Sequence, residues 1–342
     1  MIHNFCKFFI LLFLSLDLFA QVDPLYQKIR QASEEKNRIN EITRAWNAAF
    51  LYIKNANPNS VPNDIKYRKI RTFLKLSTSE KTELLQRIPK IQQLEAMLAP
   101  GSFDKRSSEI NQTFEEARLV INNEVHGVQN FFKKYHEYNT FINSEFIDSL
   151  LPILKKQYDE AEKSIIGSEY KQEMYIGWPK NFTQSHYEVL RKVLKTYPPK
   201  KNDIIYDLGS GYGRFLFYGA SIFPENKFIG IEIVPERASF AKNIISQRGF
   251  KNVTQVTRDV LKADYTNGTY FYLFNSFQGI MPQVMKQLHK ISLKHKIVII
   301  SLGNSSLDLA KQKWLVKKER ILSTAGNEMY FNDLMFFESK QI

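Results

Sequence analysis

A run of glycines beside an acid, residues 207–213, is the part of the sequence best suited to chemistry. It reads Asp-Leu-Gly-Ser-Gly-Tyr-Gly and overlaps the end of the apolar run 204–208. Glycines at a turn from a strand into a helix let the backbone approach a bound ligand, and the helix N-terminus offers free N–H groups. The pattern therefore predicts a nucleotide-type ligand at this turn.

The acid and the glycine spacing separate two kinds of ligand. The glycines are spaced G-x-G-x-G rather than G-x-G-x-x-G, and Asp207 stands two residues before Gly209. A carboxylate attracts the ammonium group of an amino acid and repels a pyrophosphate. This favours S-adenosyl-L-methionine over a dinucleotide, which stays the alternative.

Two more acids follow the next two strand-like runs. Glu232 ends the run 227–232, where a carboxylate can accept both ribose hydroxyls. Asp259 follows the run 253–257, where it can bind the adenine amino group while Val260 packs on the ring. Three acids at successive strand ends predict a complete S-adenosylmethionine site.

The fourth run, 270–274, leads into residues suited to an amine acceptor. Asn275 follows it directly, and Phe277 comes two residues later. The Asn carbonyl can hold an N–H, and aromatic walls lower the pKa of a lysine ammonium by excluding water. They also tolerate a cationic sulfonium. The alternative is that Asn275 only caps the next helix.

A segment upstream of the first strand could cover the cofactor. Tyr175 stands there with Gly177 and Trp178. We interpret Tyr175 as part of a lid, with a packed linker between domains as the alternative.

Seven strand-like runs set the expected fold. Five of them alternate with helical stretches, which predicts βαβ units and a mostly parallel sheet. Two further runs around Ala325-Gly326-Asn327 predict a terminal antiparallel pair. The fold class is therefore α/β, with a seven-stranded class I methyltransferase (Rossmann-like) sheet. The runs are 204–208, 227–232, 253–257, 270–274, 296–302, 314–322 and 329–338.

Residues 21–165 predict an N-terminal all-helical domain, and residues 166–342 the methyltransferase domain. A long amphipathic stretch runs from Ile110 to about Ile166, with an interruption at Pro152. The aromatic residues at 131–141 are expected in a core or docking surface. Because the region contains no catalytic motif, we expect a fragment starting near Ile166 to bind the cofactor if it folds.

Charge and cysteine content limit the partners. The net charge is +13, of which residues 166–342 carry +10. Such a field favours polyanion contact through the catalytic half, although a basic protein without a polyanion partner remains the alternative. With Cys6 as the one cysteine and six scattered His residues, we expect no disulfide framework and no metal site.

The N-terminus resembles a secretory signal peptide over residues 1–20. Lys7 precedes the apolar run 8–16, and small Ala20 ends the segment. The run is short for a membrane span, and a retained anchor or a buried helix are the alternatives. The prediction is a secreted or exported protein that acts in a host cell, with a cytoplasmic protein as the alternative.

Residues 201–213 resemble the cofactor loop of the non-SET, disruptor-of-telomeric-silencing type histone lysine methyltransferases. So do Asn275-Ser276-Phe277 with Val284, Gln287 and Leu288, and the likeness covers about 170–305. It implies Asn275 at the methyl-transfer site, Glu232 at the ribose, and Asp259 with Val260 at the adenine. Asp207 and Gly209 would contact the methionine part, and Ser210, Gly211 and Gly213 of the same loop are also predicted to bind the cofactor.

This sequence departs from that family at two positions. The lid has Tyr175-Ile176-Gly177-Trp178 without the family's Glu, and Ser276 replaces a second Asn. The Tyr-Asp-Leu-Gly-Ser-Gly loop also occurs in small prokaryotic and mitochondrial protein lysine methyltransferases. We therefore predict a protein lysine N-methyltransferase whose substrate is a histone or another basic, nucleic-acid-associated protein. The alternatives are an RNA, lipid or small-molecule methyltransferase, or a non-catalytic secreted interaction protein.

Overall fold

The computed structural model describes residues 24–36, 102–124, 126–138, 142, 144–150, 155–165, 184–274, 277, 279–321 and 334–340. Contacts divide the chain into two compact units, Met1–Ala117 and Arg118–Ile342. The predicted signal peptide lies outside the described residues. In the described part of the chain, no helix is long and apolar enough to cross a membrane.

Ten helices are described. They are α1 (24–36), α2 (Ser102–Asn123), α3 (Gly127–Glu137), α4 (Ser144–Leu150), α5 (Lys155–Ile165), α6 (Tyr187–Thr196), α7 (Arg214–Ile222), α8 (Pro235–Gln247), α9 (Met281–Ser292) and α10 (Asn304–Ala310). Within its described residues, the stretch predicted as amphipathic, with an interruption at Pro152, contains four helices, α2 to α5. Helix α4 ends at Leu150, two residues before Pro152, and a proline does not continue a helix.

The sheet confirms the predicted fold class. Its strands are β1 (Ile204–Leu208), β2 (Lys227–Glu232), β3 (Val253–Thr257), β4 (Tyr270–Phe274), β5 (Val298–Leu302), β6 (Leu315–Ile321) and β7 (Leu334–Ser339). They lie in the order β3-β2-β1-β4-β5-β7-β6. The first five are parallel, and β7 is antiparallel to both β5 and β6. Residues 322–333, between the last two strands, lie outside the described residues.

Each face of the sheet is covered by helices because side chains alternate along its buried strands. On one face, Leu208 and Phe271 belong to a core that includes Val284 and Leu288 of α9. On the other, Phe215 of α7 stacks on Tyr272 of β4 with ring centroids 4.3 Å apart. The result is a three-layer α/β/α arrangement.

The aromatic residues of α3 belong to this second layer. Phe131, Phe132 and Tyr135 are buried, as expected for a core. The ring of Phe132 meets that of Tyr218 in α7 edge-on, at 5.3 Å. Helices of the predicted helical domain therefore pack in the same compact unit as the sheet. The boundary at residue 165 stays a prediction, since residues 166–183 are outside the described residues.

Candidate functional site

The glycine-rich turn, residues 209–213, forms a loop between β1 and α7 that we call the cofactor loop. Gly209, Gly211 and Gly213 have φ values of 84°, 52° and 86°, a region that residues with a Cβ rarely adopt. A Cβ added at Gly211 would meet no atom within 4 Å, so the loop borders open space there. The loop thus combines a bare backbone with room for a ligand.

The loop is also held closely against β2. The N–H groups of Gly209 and Ser210 both donate to the carbonyl of Ile231, at 2.9 and 3.0 Å. The Ser210 hydroxyl donates to Gln255 Oε1 at 3.0 Å, so this predicted cofactor residue points its side chain toward the sheet. A Cβ at Gly230 would lie 2.7 Å from Ser210 Oγ, so any other residue at 230 would force the surrounding side chains to move.

Glu232 connects the end of β2 to the loop. Its Oε2 accepts the N–H of Gly211 at 2.8 Å, and its Oε1 accepts the N–H of Val234 at 2.9 Å. Burial raises the pKa of the Glu232 carboxyl, whereas Arg237 and these N–H groups lower it. Each carboxylate oxygen has a second lone pair, so the carboxylate can still accept hydroxyl groups of a ligand.

Asp207 is the acid best prepared for a cationic partner. It is 4% exposed, and among the described residues no donor forms a hydrogen bond to its carboxylate. Burial raises the pKa of Asp207 well above its ordinary value, and the Glu232 carboxylate raises it further. A buried carboxylate without a donor is costly in the free protein. An amino-acid ammonium would satisfy it, so the residues fit S-adenosylmethionine.

Asp259 stands after β3, on the same edge of the sheet. Its Oδ1 accepts the N–H of Leu261 at 2.9 Å, and its carbonyl accepts the N–H of Lys262 at 3.0 Å. Val260 is 5% exposed and belongs to the core. Because β3, β2 and β1 are neighbours, the three acids lie at or just beyond the ends of adjacent parallel strands, on one edge of the sheet.

Of the three predicted catalytic residues, Phe277 is described by the structure and the other two are not. Asn275 and Tyr175 lie outside the described residues, so their roles stay predictions. Phe277 has a φ of 74°, a left-handed conformation that is uncommon for a bulky residue. Its carbonyl accepts the N–H of Met281 at 2.8 Å, at the start of α9, and its side chain packs against the core.

Two buried carboxylates near the loop were missed by the sequence analysis. Asp148 of α4 pairs with Arg214, and Glu162 of α5 pairs with Arg237. The positions of the two arginines in the sequence could have indicated these ion pairs. Each stands in the first turn of a helix, where the dipole disfavours a cation, so a carboxylate partner was to be expected.

Metal ligands are not grouped in the described part of the chain. No cluster of three or more His, Cys, Asp or Glu residues there could hold a metal ion.

Part of this chain is similar to known proteins. Residues 199–330 match a family described as "Methyltransferase domain". A protein-lysine N-methyltransferase of Saccharolobus islandicus (strain REY15A) is 30% identical over 105 residues, 30% of this chain and 65% of that protein. The match thus spans less than two thirds of that relative.

Solved structures are similar to part of this chain at low identity. An RNA methyltransferase from Salinibacter ruber, in complex with S-adenosyl-L-homocysteine, has a TM-score of 0.35 and 19% identity, covering 46% of this chain and 92% of that one. TrmN from Thermus thermophilus has a TM-score of 0.39 and 11% identity, covering 48% and 52%.

Residues 199–330 are a methyltransferase domain, and the strand order is that of the class I type. Such a domain implies S-adenosyl-L-methionine as its cofactor. This confirms the predicted class and cofactor.

Proposed function

We propose that the chain is a protein lysine N-methyltransferase that uses S-adenosyl-L-methionine. Methyl transfer is supported above all by the three acids at adjacent strand ends, of which Asp207 is buried and has no hydrogen-bond donor among the described residues. The lysine acceptor is supported by the 105-residue match to the Saccharolobus islandicus enzyme. A polar residue, Asn275, directly after β4 agrees with an amine acceptor.

Each of the three acids would bind a different part of the cofactor. Asp207 would hold the ammonium, Glu232 the ribose hydroxyls and Asp259 the adenine amino group. When bound there, the cofactor supplies an electrophilic methyl group on a sulfonium. The open space at Gly211 lets the loop backbone lie against it. Positioning of this kind is the main source of rate in such a reaction.

The acceptor lysine must reach the methyl group as a neutral amine. Strand β4 is buried and Phe277 is half-buried, and apolar surroundings of this kind would lower the pKa of a lysine ammonium by excluding water from it. The lysine Nζ would accept the methyl group that the bound cofactor supplies. The proton lost by Nζ passes to solvent. The Asn275 carbonyl would orient the remaining N–H.

Radiolabelled methyl transfer tests the proposal. Purified chain and labelled cofactor are incubated with free histones, nucleosomes, RNA and total cell lysate, side by side. Label that appears in protein and is recovered as methyl-lysine supports the proposal. Label in RNA or in lipid contradicts the acceptor and favours another methyltransferase. Cofactor binding without label in any fraction supports the non-catalytic alternative.

A second proposal concerns the partner of the basic half. Residues 281–321 contain nine Lys and Arg against two Asp and Glu. The ring of His289 in α9 stacks on Trp314 at 4.9 Å, which brings the helix beside the start of β6. We call the exposed cations here the basic surface, and propose that it contacts the phosphates of nucleic acid carried by the substrate. They are Lys286, Lys290, Lys294, Lys296, Lys311, Lys313, Lys317, Lys318 and Arg320.

Charge reversal tests the basic surface. Replacing Lys313 and Lys317 by Glu should lower methylation of nucleosomes, and the loss should shrink as salt increases. Methylation of free histones by the same variant serves as the control and should stay unchanged. Equal losses on both substrates would contradict the nucleic-acid contact.

A further inference from the structure

We propose that Asp148 and Glu162, on helices outside the matched domain, are positioning residues for the cofactor loop. Asp148 acts through Arg214, and Glu162 acts through Tyr212 and Arg237. The inference rests on the proposed cofactor site. It does not depend on which acceptor is methylated.

Asp148 holds the residue that follows the loop. Arg214 comes directly after Gly213, and its guanidinium is buried. Its Nε donates to Asp148 Oδ1 at 3.2 Å, and a second nitrogen donates to Oδ2. The Tyr187 hydroxyl also donates to Asp148 Oδ1, at 3.3 Å. A cation at a helix N-terminus works against the helix dipole, so this carboxylate is needed to keep Arg214 in place.

The same network reaches the strand beside Asp207. Arg214 Nη1 donates to the carbonyl of Ser185 at 3.2 Å. The Ser185 hydroxyl forms a 2.7 Å hydrogen bond with the hydroxyl of Tyr272, which is paired in register with Asp207. Asp148 therefore fixes the loop and the neighbouring strand end together.

Glu162 holds the loop itself. The hydroxyl of Tyr212, the fourth loop residue, donates to Glu162 Oε1 at 2.8 Å. The guanidinium of Arg237 forms two bonds to the same carboxylate, 2.8 Å from Nε to Oε1 and 3.1 Å from Nη2 to Oε2. Such a two-point contact fixes orientation as well as distance.

Arg237 also connects Glu162 to the cofactor acids. It lies in the first turn of α8, five residues after Glu232, and its charge lowers the pKa that burial raises at Glu232. Glu232 in turn accepts the Gly211 N–H. A change at Glu162 can therefore reach the loop by two routes, through Tyr212 and through Arg237 with Glu232.

Both carboxylates lie before residue 199, where the family match begins. The ion pairs span 66 and 75 residues of sequence. Removing either carboxylate would leave a buried guanidinium without its main counter-charge, which is strongly unfavourable. The shape of the loop thus depends on α4 and α5.

Calorimetric titration of the full chain with S-adenosyl-L-homocysteine tests the inference. The variant Tyr212→Phe removes one hydroxyl and keeps the ring, so it should fold. We expect its Kd to increase roughly 3–10-fold, the range that one hydrogen bond accounts for. Glu162→Gln and Asp148→Asn should increase Kd at least as much. Amide hydrogen exchange of residues 209–213 should become faster in all three.

The control is Gln129→Met. It removes the 2.9 Å bond from Gln129 Nε2 to the Arg248 carbonyl, a contact between α3 and the end of α8 that is remote from the loop. We expect a lower unfolding temperature for this variant with unchanged Kd. If Tyr212→Phe also leaves Kd within twofold of wild type, the inference is overturned even if the other variants fail to fold. If wild type does not bind S-adenosyl-L-homocysteine, the cofactor site itself is overturned.

Discussion

Glu232 and Gly211 form a hydrogen bond of 2.8 Å from the Gly211 N–H to Glu232 Oε2. The acid expected to bind the ribose therefore also shapes the loop that borders the methionine part. A single substitution at Glu232 removes both contributions.

Glu232→Ala should weaken binding of S-adenosylmethionine by roughly 1–3 kcal/mol, because ligand hydroxyls and the Gly211 N–H lose an acceptor. Isothermal titration calorimetry measures the change. Glu225→Ala, at an exposed position before β2, is the matched control and should bind normally. Unchanged affinity in Glu232→Ala would contradict the site.

Asp207→Asn should stabilise the cofactor-free protein at neutral pH while weakening cofactor binding. The folded-state pKa of Asp207 is raised by burial, then by Glu232, so ionisation costs folding free energy. The stability associated with the protonated carboxyl is fully present below the unfolded pKa of about 4 and is lost as pH increases through the folded pKa. The Asn variant avoids this loss.

Scanning calorimetry without cofactor measures this effect. At pH 7 the Asn variant should unfold at a higher temperature than wild type, by about 2–4 °C for each kcal/mol. The difference should disappear as pH falls toward 4. An equal gain at every pH would point to a cause other than the Asp207 charge.

At position 277, a glycine variant should be more stable than an alanine variant, which is the reverse of the usual order. With a φ of 74°, Phe277→Ala keeps the left-handed strain of about 1–2 kcal/mol that Phe277→Gly relieves. Urea unfolding should therefore find the Gly variant more stable than the Ala variant. Met285, half-buried in α9 against the same core, is the control, and there Gly should be the less stable. If the Ala variant were more stable than the Gly variant at both positions, the backbone at 277 would be unstrained.

Asn275→Ala should reduce turnover by roughly one to three orders of magnitude while cofactor affinity changes little, since the contact to the amine is strongest in the transition state. Single-turnover methylation measures the rate. Asn275→Asp separates the acceptors, because an acid here can serve as base in an enzyme of related layout that acts on RNA or a small molecule. Wild-type turnover in Asn275→Ala would leave Asn275 as a helix cap only.

The strands and the cofactor loop could be predicted because their signals are local. The runs 204–208 and 227–232 coincide with β1 and β2, and the acid at each strand end follows from the parallel arrangement. Val260 could be placed near the edge, but its burial in the core depends on α9, which no local pattern specifies.

The ion pairs of the loop could not be predicted in the same way. Asp148 and Glu162 are single acids on amphipathic helices, where most acids face solvent, and their partners lie 66 and 75 residues away. A fragment starting near Ile166, expected from the sequence to bind cofactor if folded, would lack both carboxylates. We now expect it to bind poorly, because Arg214 and Arg237 would lose these partners.

Strand β6, which lies at one edge of the sheet, also affects how the protein behaves at high concentration. Its residues from Val316 to Arg320 are exposed, three of them are cationic, and the register shifts between Lys317 and Glu319. Charges and irregularities on an outer strand hinder its pairing with a strand of another molecule, a common route to aggregation. Substitutions on this strand should therefore reverse the charge rather than remove it, since an apolar replacement would favour pairing of β6 with a strand of another molecule.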